Sequence, residues 1–314
     1  MKILITGGCG YTGTVLVEKL AETGHDIVVV DAEWFGRYSG RKYSNIKFIK
    51  SDIRTVSPSI CAGIETVIHL ANVANDPAVD LNPNLSWEIN VLATQKLIIN
   101  SIKNKAKNFI YASSGSVYGV KKEKKVTELL DRVPISTYNK TKMIAEDVLM
   151  SYKDDINIFC IRPATVCGFS SRMRFDLTVN LLTLQAIKKK KITVLGGSQI
   201  RPNIHIQDLA AVYSFFVNKN NLKSGFYNAG FDNFSILDIA KKIQKKIDCA
   251  IKIIKSNDPR SYRQDSSKLI GCGFKRKFNV DNAIDDIIFN YKKNPGIEKP
   301  SCYTVRWMIK NKIS

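Results

Sequence analysis

The stretch MKILITGGCGYTGTVLVEKL, residues 1–20, decides the fold of this chain. The apolar run Lys2–Thr6 has the length of a buried strand, and the three-to-four spacing of apolar residues over Thr12–Glu22 predicts a helix. Four glycines lie at the junction of these elements: Gly7, Gly8, Gly10 and Gly13. A strand, a turn of the pattern GxGxxG and a helix, in this order, are typical of a parallel α/β sheet that binds a dinucleotide.

The glycine turn is predicted to hold a pyrophosphate. Its first glycines permit a tight turn and let backbone N–H groups approach the phosphates, while Gly13 lets the helix pack closely on the strand. The N-terminus of the helix then faces the negative charge. For the glycines alone, a flexible turn without a ligand is the alternative interpretation. The candidate cofactor-binding residues of this turn are Gly7, Gly10, Tyr11, Thr12 and Gly13.

Asp31 favours the dinucleotide interpretation. It ends the second predicted strand, where a carboxylate accepts hydrogen bonds from both ribose hydroxyls of the cofactor. Because a carboxylate there repels a 2′-phosphate, the predicted cofactor is NAD rather than NADP. Arg37 and Arg41 lie in the loop that follows and weaken this preference.

Strand-like and helix-like patterns alternate through the first half of the chain. This alternation predicts an α/β fold, a Rossmann-type doubly wound parallel sheet over residues 1–167. The rhythm changes after Gly168, and we expect a smaller C-terminal α/β substrate-binding cap over residues 168–314, with some segments returning to the first domain. The predicted strands are Lys2–Thr6, Ile27–Asp31, Lys47–Lys50, Thr66–Leu70, Phe109–Ala112 and Ile156–Arg162, and the predicted helices are Thr12–Glu22, Leu85–Lys103 and Tyr138–Tyr152. In the cap we expect a helix near Leu177–Lys189 and strands near Ile192–Leu195 and Phe226–Asn228.

Length and composition limit the class of protein. The chain has 314 residues, 44% of them apolar, which suffices for one large or two closely packed domains. No apolar run approaches the roughly 18 residues of a membrane span, and no secretory signal precedes the glycine turn. We therefore expect a cytoplasmic protein without a membrane partner.

The formal net charge of +20 raises the question of a nucleic-acid partner. The lysines are dispersed, and aromatic residues are not interleaved with them for base stacking, so nucleic-acid binding is not favoured. The same charge attracts a doubly negative small substrate. Seven scattered cysteines without a CxxC pattern and only three histidines give no metal site, and the cysteines are expected to be reduced packing residues.

A candidate catalytic group follows the fifth predicted strand. Tyr138 and Lys142, in the segment YNKTK, lie one helical turn apart and project from one face. An ammonium beside a phenol favours the phenolate, so we expect Lys142 to lower the pKa of Tyr138 towards neutrality, as a general base for a sugar hydroxyl requires. By itself this spacing also fits an ordinary surface pair. Its position after the serine-rich strand end at 111–119, in a chain with a dinucleotide turn, favours the catalytic interpretation.

The chain resembles the extended short-chain dehydrogenases/reductases, and among them the NAD-dependent nucleotide-sugar epimerase/dehydratase family. The resemblance covers nearly the whole length and depends on the order of many short motifs. These are GGCGYTG at 7–13, SDIR at 51–54, HLAN at 69–72, EINVLAT at 88–94, SSGSVYG at 113–119, YNKTK at 138–142, RPATVCG at 162–168, RPNIHIQDLA at 201–210, YNAG at 227–230 and DPRSYRQDSSKL at 258–269.

The resemblance implies further cofactor residues. Asp52 and Ile53 would lie at the adenine, and Leu70 and Ala71 would line the cofactor cleft. Asn90 would support the active-site helix.

It also implies the catalytic set. Ser114 would hydrogen-bond the reacting hydroxyl, Tyr138 would be the acid/base, and Lys142 would hold the nicotinamide ribose. In the cap, arginines suit the nucleotide and diphosphate of a sugar substrate because their planar fork matches phosphate oxygens. The candidate substrate-binding residues are Ser116, Thr165, Arg172, Arg174, Asn180, Arg201 and Arg260. Ser116 is equally compatible with a simple strand-end polar role, and Arg172 and Arg174 with solvated positions.

The residues at 115 and 116 bear on the reaction. The 4,6-dehydratases that resemble this chain carry Asp-Glu at these places, whereas this chain carries Gly115 and Ser116, which do not supply proton carriers for an elimination. Epimerisation at C4 of a nucleotide-diphosphate sugar through a 4-keto intermediate needs only Ser114, Tyr138, Lys142 and retained NAD. It is the predicted activity.

Two alternatives stay open at this point. Thr165 stands where sugar epimerases often have Asn, which leaves an NAD(P)H-dependent 4-ketoreductase or dehydrogenase as the second candidate. The other alternative is a binding protein, because some proteins of this fold keep NAD only as a structural or regulatory ligand. Those proteins lack the tyrosine or the lysine, whereas this chain has both.

The resemblance further implies a homodimer that packs through Leu85–Lys103 and Tyr138–Tyr152.

Overall fold

The structure is a computed structural model that describes residues 1–38, 43–219, 221–256 and 261–313. Over these residues the strands are β1 (Lys2–Thr6), β2 (Asp26–Asp31), β3 (Ile46–Lys50), β4 (Thr66–His69), β5 (Asn108–Ala112), β6 (Asn157–Pro163), β7 (Thr165–Cys167), β8 (Lys191–Leu195), β9 (Ile200–His205), β10 (Gly225–Ala229), β11 (Asp232–Ser235) and β12 (Ala250–Ile254). The helices are α1 (Tyr11–Glu22), α2 (Asp76–Val79), α3 (Pro83–Trp87), α4 (Ala93–Lys103), α5 (Thr137–Met150), α6 (Thr178–Lys189), α7 (Ile206–Asn218), α8 (Ile236–Gln244), α9 (Ser267–Gly271), α10 (Val280–Lys293) and α11 (Thr304–Lys310).

Seven parallel strands form the central sheet, in the order β10-β6-β5-β4-β1-β2-β3. The order reverses at β1, as in dinucleotide-binding sheets, so the chain leaves β1 and β4 in opposite directions and a crevice forms there. The predicted Rossmann-type parallel sheet is confirmed. Each of the six strands predicted for it agrees with the structure to within one residue at either end.

Helices cover both faces of this sheet. On one face α1 and α7 bury Leu16 and Phe216 against Ile3 and Ile5 of β1. On the other face α4 and α5 pack against the sheet in a second core. Since both faces are covered, the central strands are apolar without alternation.

The predicted helix Leu85–Lys103 is interrupted. The chain forms α3, then a wider π-helical turn over Glu88–Leu92, and then α4. Asn90 lies in the wide turn with a fully buried side chain. Single wide turns of this kind are frequent at functional sites.

The remaining strands form two small sheets beyond the carboxyl end of β6. One has the order β11-β9-β7 and the other pairs β12 with β8. Helices α6, α8 and α10 share a separate apolar core with them. The prediction that the strand near Phe226–Asn228 belongs to the cap is wrong, because β10 pairs with β6 along the register Gly225–Phe159 to Ala229–Pro163 and forms an edge of the large sheet. The hydrogen bonds that place it there join residues far apart in the chain, and no local pattern reports them.

Helix α1 packs so closely on the end of β1 that there is no room for a side chain at the contact. A Cβ atom on Gly13 would lie 2.4 Å from the carbonyl oxygen of Gly7, well inside contact distance. We expect Gly13→Ala to lower the free energy of unfolding by about 1–3 kcal/mol, because either the helix or the turn must shift. Thermal and urea unfolding measure this loss.

Gly271→Ala is the matched control. A Cβ atom there meets no heavy atom of the described residues within 4 Å, and the position ends helix α9. We expect its stability to stay within about 0.5 kcal/mol of the original. Equal unfolding midpoints for the two variants would contradict the packing argument.

Candidate functional site

A deep cleft opens at the carboxyl ends of β1, β2, β4, β5 and β6 and extends to the small sheets. It encloses about 2100 Å³, including the part open to solvent. The structure brings most of the predicted site residues together in its lining. These are Gly7, Gly10, Tyr11, Thr12, Gly13, Asp31, Asp52, Ile53, Leu70, Ala71, Ser114, Ser116, Tyr138, Lys142, Thr165, Arg172, Arg174 and Arg201.

The glycine turn forms a cradle for a pyrophosphate. Gly7 has φ +73°, and a Cβ atom on it would lie 2.5 Å from the backbone nitrogen of Ala71, so the end of β4 closes on the turn. Gly10 is the N-cap of α1 and brings no side chain to accept from the first-turn N–H groups. An anion placed there satisfies these groups and meets the positive end of the helix dipole. The turn therefore fits the pyrophosphate of a dinucleotide.

Asp31 is held for the ribose by two backbone N–H groups. Its oxygens accept from the nitrogen of Cys9 at 2.9 Å and from that of Glu33 at 2.7 Å. Burial raises the pKa of the Asp31 carboxyl, and these two hydrogen bonds oppose that rise. Arg37, which weakened the preference for NAD, pairs with Glu33, and Arg41 lies outside the described residues.

The predicted adenine residues follow β3. The Asp52 carboxylate accepts from its neighbour Arg54, with Nη2 to Oδ2 at 2.8 Å, and Arg54 also reaches Glu88 at 2.6 Å. Burial acts to raise the pKa of Asp52, but the hydrogen bonds from Arg54 prevail and lower it. The carboxylate is therefore charged and fixed at the edge of the cleft, next to the largely buried Ile53.

The C-terminal segment covers the same end of the cleft, which the sequence did not predict. Trp307 Nε1 donates to the carbonyl of Trp34 at 2.6 Å, and the hydroxyls of Tyr38 and Ser301 lie 3.1 Å apart. Thr304 and Met308 join the lining. These partners lie more than 260 residues apart in the chain, so no local pattern could have shown the contact.

The predicted catalytic residues lie together at the end of β5. Ser114 Oγ lies 2.7 Å from Ser116 Oγ. Lys142 is 97% buried and donates from Nζ to the carbonyl of Ala112 at 2.5 Å. In its hydrogen-bonding orientation the Asn72 amide oxygen also accepts from Lys142, at 2.9 Å.

The expectation that Lys142 lowers the pKa of Tyr138 towards neutrality is wrong. Burial raises the pKa of Tyr138 to about 12; the charge of Asp76 adds to the rise, whereas a hydrogen bond with Ser114 and the charge of Arg174 oppose it. Burial likewise lowers the pKa of Lys142 to about 7. Because burial disfavours the charged form of both groups, spacing alone misjudged the pair.

Asp76 is a site residue that sequence reasoning missed. It lines the cleft at the start of α2 and accepts a hydrogen bond from Ser136, the N-cap of the helix that carries Tyr138. The preceding residue, Asn75, has φ +82° and caps α2 by accepting from Ala78 at 2.9 Å. The sequence signal that could have indicated this residue is the pair Asn75-Asp76, an N-cap and the first residue of a short helix.

A buried ion pair supports the catalytic residues from behind. Arg162 donates to Glu146 through Nε and Nη2 at 2.8 and 2.7 Å, and Ser113 donates to the same carboxylate at 2.6 Å. Arg132 approaches it at 3.2 Å. The pair therefore connects β6, helix α5 and the strand end that carries Ser114.

Two predicted site residues are not brought to the cleft. Asn90 is fully buried, and its side-chain amide makes two hydrogen bonds with the backbone of Val73. Its Oδ1 accepts from the Val73 nitrogen at 2.9 Å, and its Nδ2 donates to the Val73 carbonyl oxygen at 3.3 Å. Its Nδ2 also donates to Thr141 Oγ1 at 3.1 Å, on the helix of Tyr138 and Lys142. Asn180 donates to the Tyr11 hydroxyl at 3.0 Å and accepts from the nitrogen of Gly168 at 3.1 Å. Each supports cleft elements from outside the lining.

The cap contributes the arginines. Arg174 pairs with Asp176 through Nε and Nη2 at 2.9 and 3.0 Å, and Arg172 stacks on Phe35 with its guanidinium 4.1 Å from the ring centre. Arg201 lines the cleft from β9. The predicted substrate residue Arg260 lies outside the described residues.

Comparison with known proteins agrees with this geometry. The model of the NAD-dependent epimerase/dehydratase family matches residues 3–230. A protein of Lactobacillus helveticus named UDP-glucose 4-epimerase is 28% identical over 94% of this chain and 98% of its own length. UDP-glucuronic acid decarboxylase 4 of Arabidopsis thaliana is 28% identical over 85% of this chain and 63% of its own length.

A solved structure of an epimerase is also similar to this chain. The Bacillus cereus UDP-glucuronic acid 4-epimerase, in complex with UDP-glucuronic acid and NAD, superposes with a TM-score of 0.82 at 26% identity. The match covers 93% of this chain and 99% of that one. Among the described residues here, no helix has the length and apolar character that crossing a membrane requires.

The buried Lys142 gives a pH-dependent prediction. Its pKa is about 7 in the folded protein and about 10.5 when unfolded, so the unfolded chain binds the extra proton between these values. The free energy of unfolding then rises with pH across this window. Lys142→Met removes that dependence, and its stability gain over the original chain should shrink by about 2–3 kcal/mol from pH 6 to pH 9.

Urea unfolding of both cofactor-free proteins at the two pH values measures this change. The comparison with Lys142→Met cancels the contributions of the other titrating groups. A difference that stays constant with pH would mean that Lys142 keeps its proton in the folded state.

Proposed function

The chain belongs to the NAD-dependent epimerase/dehydratase family, and we propose that it inverts C4 of a nucleotide-diphosphate sugar. One observation supports this choice above the others. Ser114, Tyr138 and Lys142 share the cleft with the glycine cradle, while the two positions after Ser114 hold Gly115 and Ser116. Oxidation and reduction at C4 need only the first three groups and bound NAD as the hydride acceptor, whereas elimination of water needs an acid and a base where these two stand.

In the proposed reaction the C4 hydroxyl of the sugar hydrogen-bonds to Ser114 and to Tyr138. Tyr138 takes the hydroxyl proton as the C4 hydrogen leaves with its electron pair, and a 4-keto sugar remains. NAD, when bound in the cradle, supplies a reversible hydride acceptor. Rotation of the keto sugar exposes its other face; the hydride returns there, and Tyr138 gives the proton back to the oxygen. The net result is an inverted C4 with no change in the cofactor.

The substrate class follows from the charges in the cap. Arg174 and Arg201 line the cleft, and their planar guanidinium groups suit a diphosphate. The formal net charge of +20 favours the encounter with such an anion. Because the Lactobacillus helveticus and Bacillus cereus relatives carry UDP-glucose and UDP-glucuronic acid in their names, UDP-hexoses and UDP-hexuronic acids are the first substrates to test.

The test incubates purified protein with each UDP-sugar and no added cofactor. Proton NMR follows the C4 configuration, and absorbance at 340 nm follows NADH. We expect conversion between C4 epimers to an equilibrium mixture without net NADH. Consumption of one NADH per sugar would instead identify a ketoreductase and overturn the proposal.

Tyr138→Phe isolates the proton step. Loss of the phenol should reduce C4 inversion by about a hundredfold to ten-thousandfold, with NAD binding nearly unchanged. Tyr152→Phe is the control, since Tyr152 lies just beyond the same helix and outside the cleft. Turnover that survives in the Tyr138 variant would remove this residue from the mechanism.

Asp76 gives a pH-profile prediction. Its charge helps to raise the pKa of Tyr138. Asp76→Asn should therefore move the ascending limb of kcat/KM against pH to lower pH, because the phenolate forms more readily. Asp80→Asn, at the exposed end of α2, should leave the limb in place. An unmoved limb in both variants would show that Tyr138 does not govern it.

The homodimer that packs through Leu85–Lys103 and Tyr138–Tyr152, the cytoplasmic location and the separation into residues 1–167 and 168–314 stay predictions. Size-exclusion chromatography with light scattering tests the first of them.

A further inference from the structure

Two arginines of the cap, Arg172 and Arg174, are separated by one residue and have different neighbours, Phe35 for the first and Asp176 for the second. The intervening Met173 and the following Phe175 are buried in an apolar core with Tyr11. Arg172 and Arg174 alternate with them and both line the cleft. The sequence alone predicts the same role for both residues, which is binding of the substrate.

The segment that carries Arg172 lies against the start of α1. The Tyr11 hydroxyl donates to the carbonyl of Gly168 at 2.6 Å, and Ser170 Oγ donates to the carbonyl of Tyr11 at 2.9 Å. Tyr11 is the first residue of α1, directly after the glycine cradle. The backbone two residues before Arg172 is therefore fixed to the element that receives the pyrophosphate.

The Arg172 side chain then extends towards β2. Its guanidinium stacks on Phe35, in the loop that follows Asp31, and both Phe35 and Asp31 line the cofactor end of the cleft. The charge of Arg172 acts on Asp31, where it opposes the rise that burial causes in that pKa. The charge of Arg174 likewise opposes the rise that burial causes in the pKa of Tyr138.

The hydrogen-bonding capacity of Arg172 is largely unused. The residue is 96% buried, and its Nε has no partner among the described residues. The one bond of its guanidinium to the described chain runs from Nη1 to the carbonyl of Met173 at 3.5 Å. A buried guanidinium with so few hydrogen bonds is costly, and an anion in the cleft reduces that cost.

We propose that Arg172 binds the pyrophosphate of NAD, while Arg174 serves the diphosphate of the sugar nucleotide. Phe35 holds the Arg172 guanidinium in place by stacking, and the hydrogen bonds of Tyr11 and Ser170 tie the cap segment to the cofactor turn. The cap thus closes on the cofactor through Arg172. This assignment depends on NAD as the cofactor and is independent of which sugar is converted.

The test uses Arg172→Gln and Arg174→Gln as matched variants, each freed of nucleotide by dialysis and checked by thermal unfolding. Calorimetric titration with adenosine, ADP, ADP-ribose and UDP gives the dissociation constants. Arg172→Gln should weaken ADP and ADP-ribose by about tenfold to a hundredfold and change adenosine and UDP by less than about twofold. Arg174→Gln should weaken UDP and leave ADP within about twofold.

A loss of UDP binding with intact ADP binding in Arg172→Gln would assign Arg172 to the substrate and overturn the proposal. An equal loss for adenosine and ADP would also overturn it, because the residue would then act on the nucleoside or the fold. If Arg172→Gln is unstable, Arg172→Lys keeps the charge without the planar fork. It should retain part of the ADP affinity; affinity equal to that of the original chain for every ligand would count against the assignment.

Discussion

The close approach of α1 to the end of β1 is the constraint on which the rest of the structure depends. Gly13 lies against the carbonyl of Gly7, and Gly7 in turn lies against the backbone of Ala71 at the end of β4. No side chain fits at either contact. As a result, the first turn of α1 lies at the point where the strand order reverses, with its N–H groups directed into the crevice. Tyr11, the first residue of the same helix, bonds the cap through Gly168. One steric requirement therefore positions both the cofactor cradle and the segment that covers it.

The catalytic end is organised by buried charge. Glu146 and Arg162 are both fully buried, and the carboxylate also holds Ser113 and Arg132. The net stability that such a pair adds is small, because its desolvation offsets much of its attraction. Lys142 lies one turn before Glu146 and is itself desolvated, so its pKa falls to about 7. Burial acts on Tyr138 in the matching sense and raises the pKa of its phenol to about 12, so the neutral form of both groups is favoured between these two values.

The arginines of the cap divide the cleft between two anionic ligands. In this short segment Met173 and Phe175 are buried in an apolar core, whereas Arg172 and Arg174 line the cleft. The first arginine stacks on Phe35 and acts through its charge on Asp31, whereas the second pairs with Asp176 and acts through its charge on Tyr138. A protein that oxidises and then reduces the same carbon must keep its cofactor while the sugar turns. The proposed closure of the cap on the pyrophosphate supplies a physical means of retention that does not depend on the sugar.

The sequence by itself determined the strands of the central sheet, the glycine turn, the place of Asp31 at the end of β2 and the position of Tyr138 and Lys142 one turn apart on a helix. Each of these depends on residues close together in the chain. Only the tertiary structure decided where β10 pairs, that Trp307 covers the loop at Trp34, that Asp76 stands beside Tyr138 and that Arg172 reaches Phe35. These contacts join distant residues. It also decided the protonation of the catalytic pair: spacing reports the distance between two groups, whereas burial, which no local pattern shows, sets the free energy of charging them.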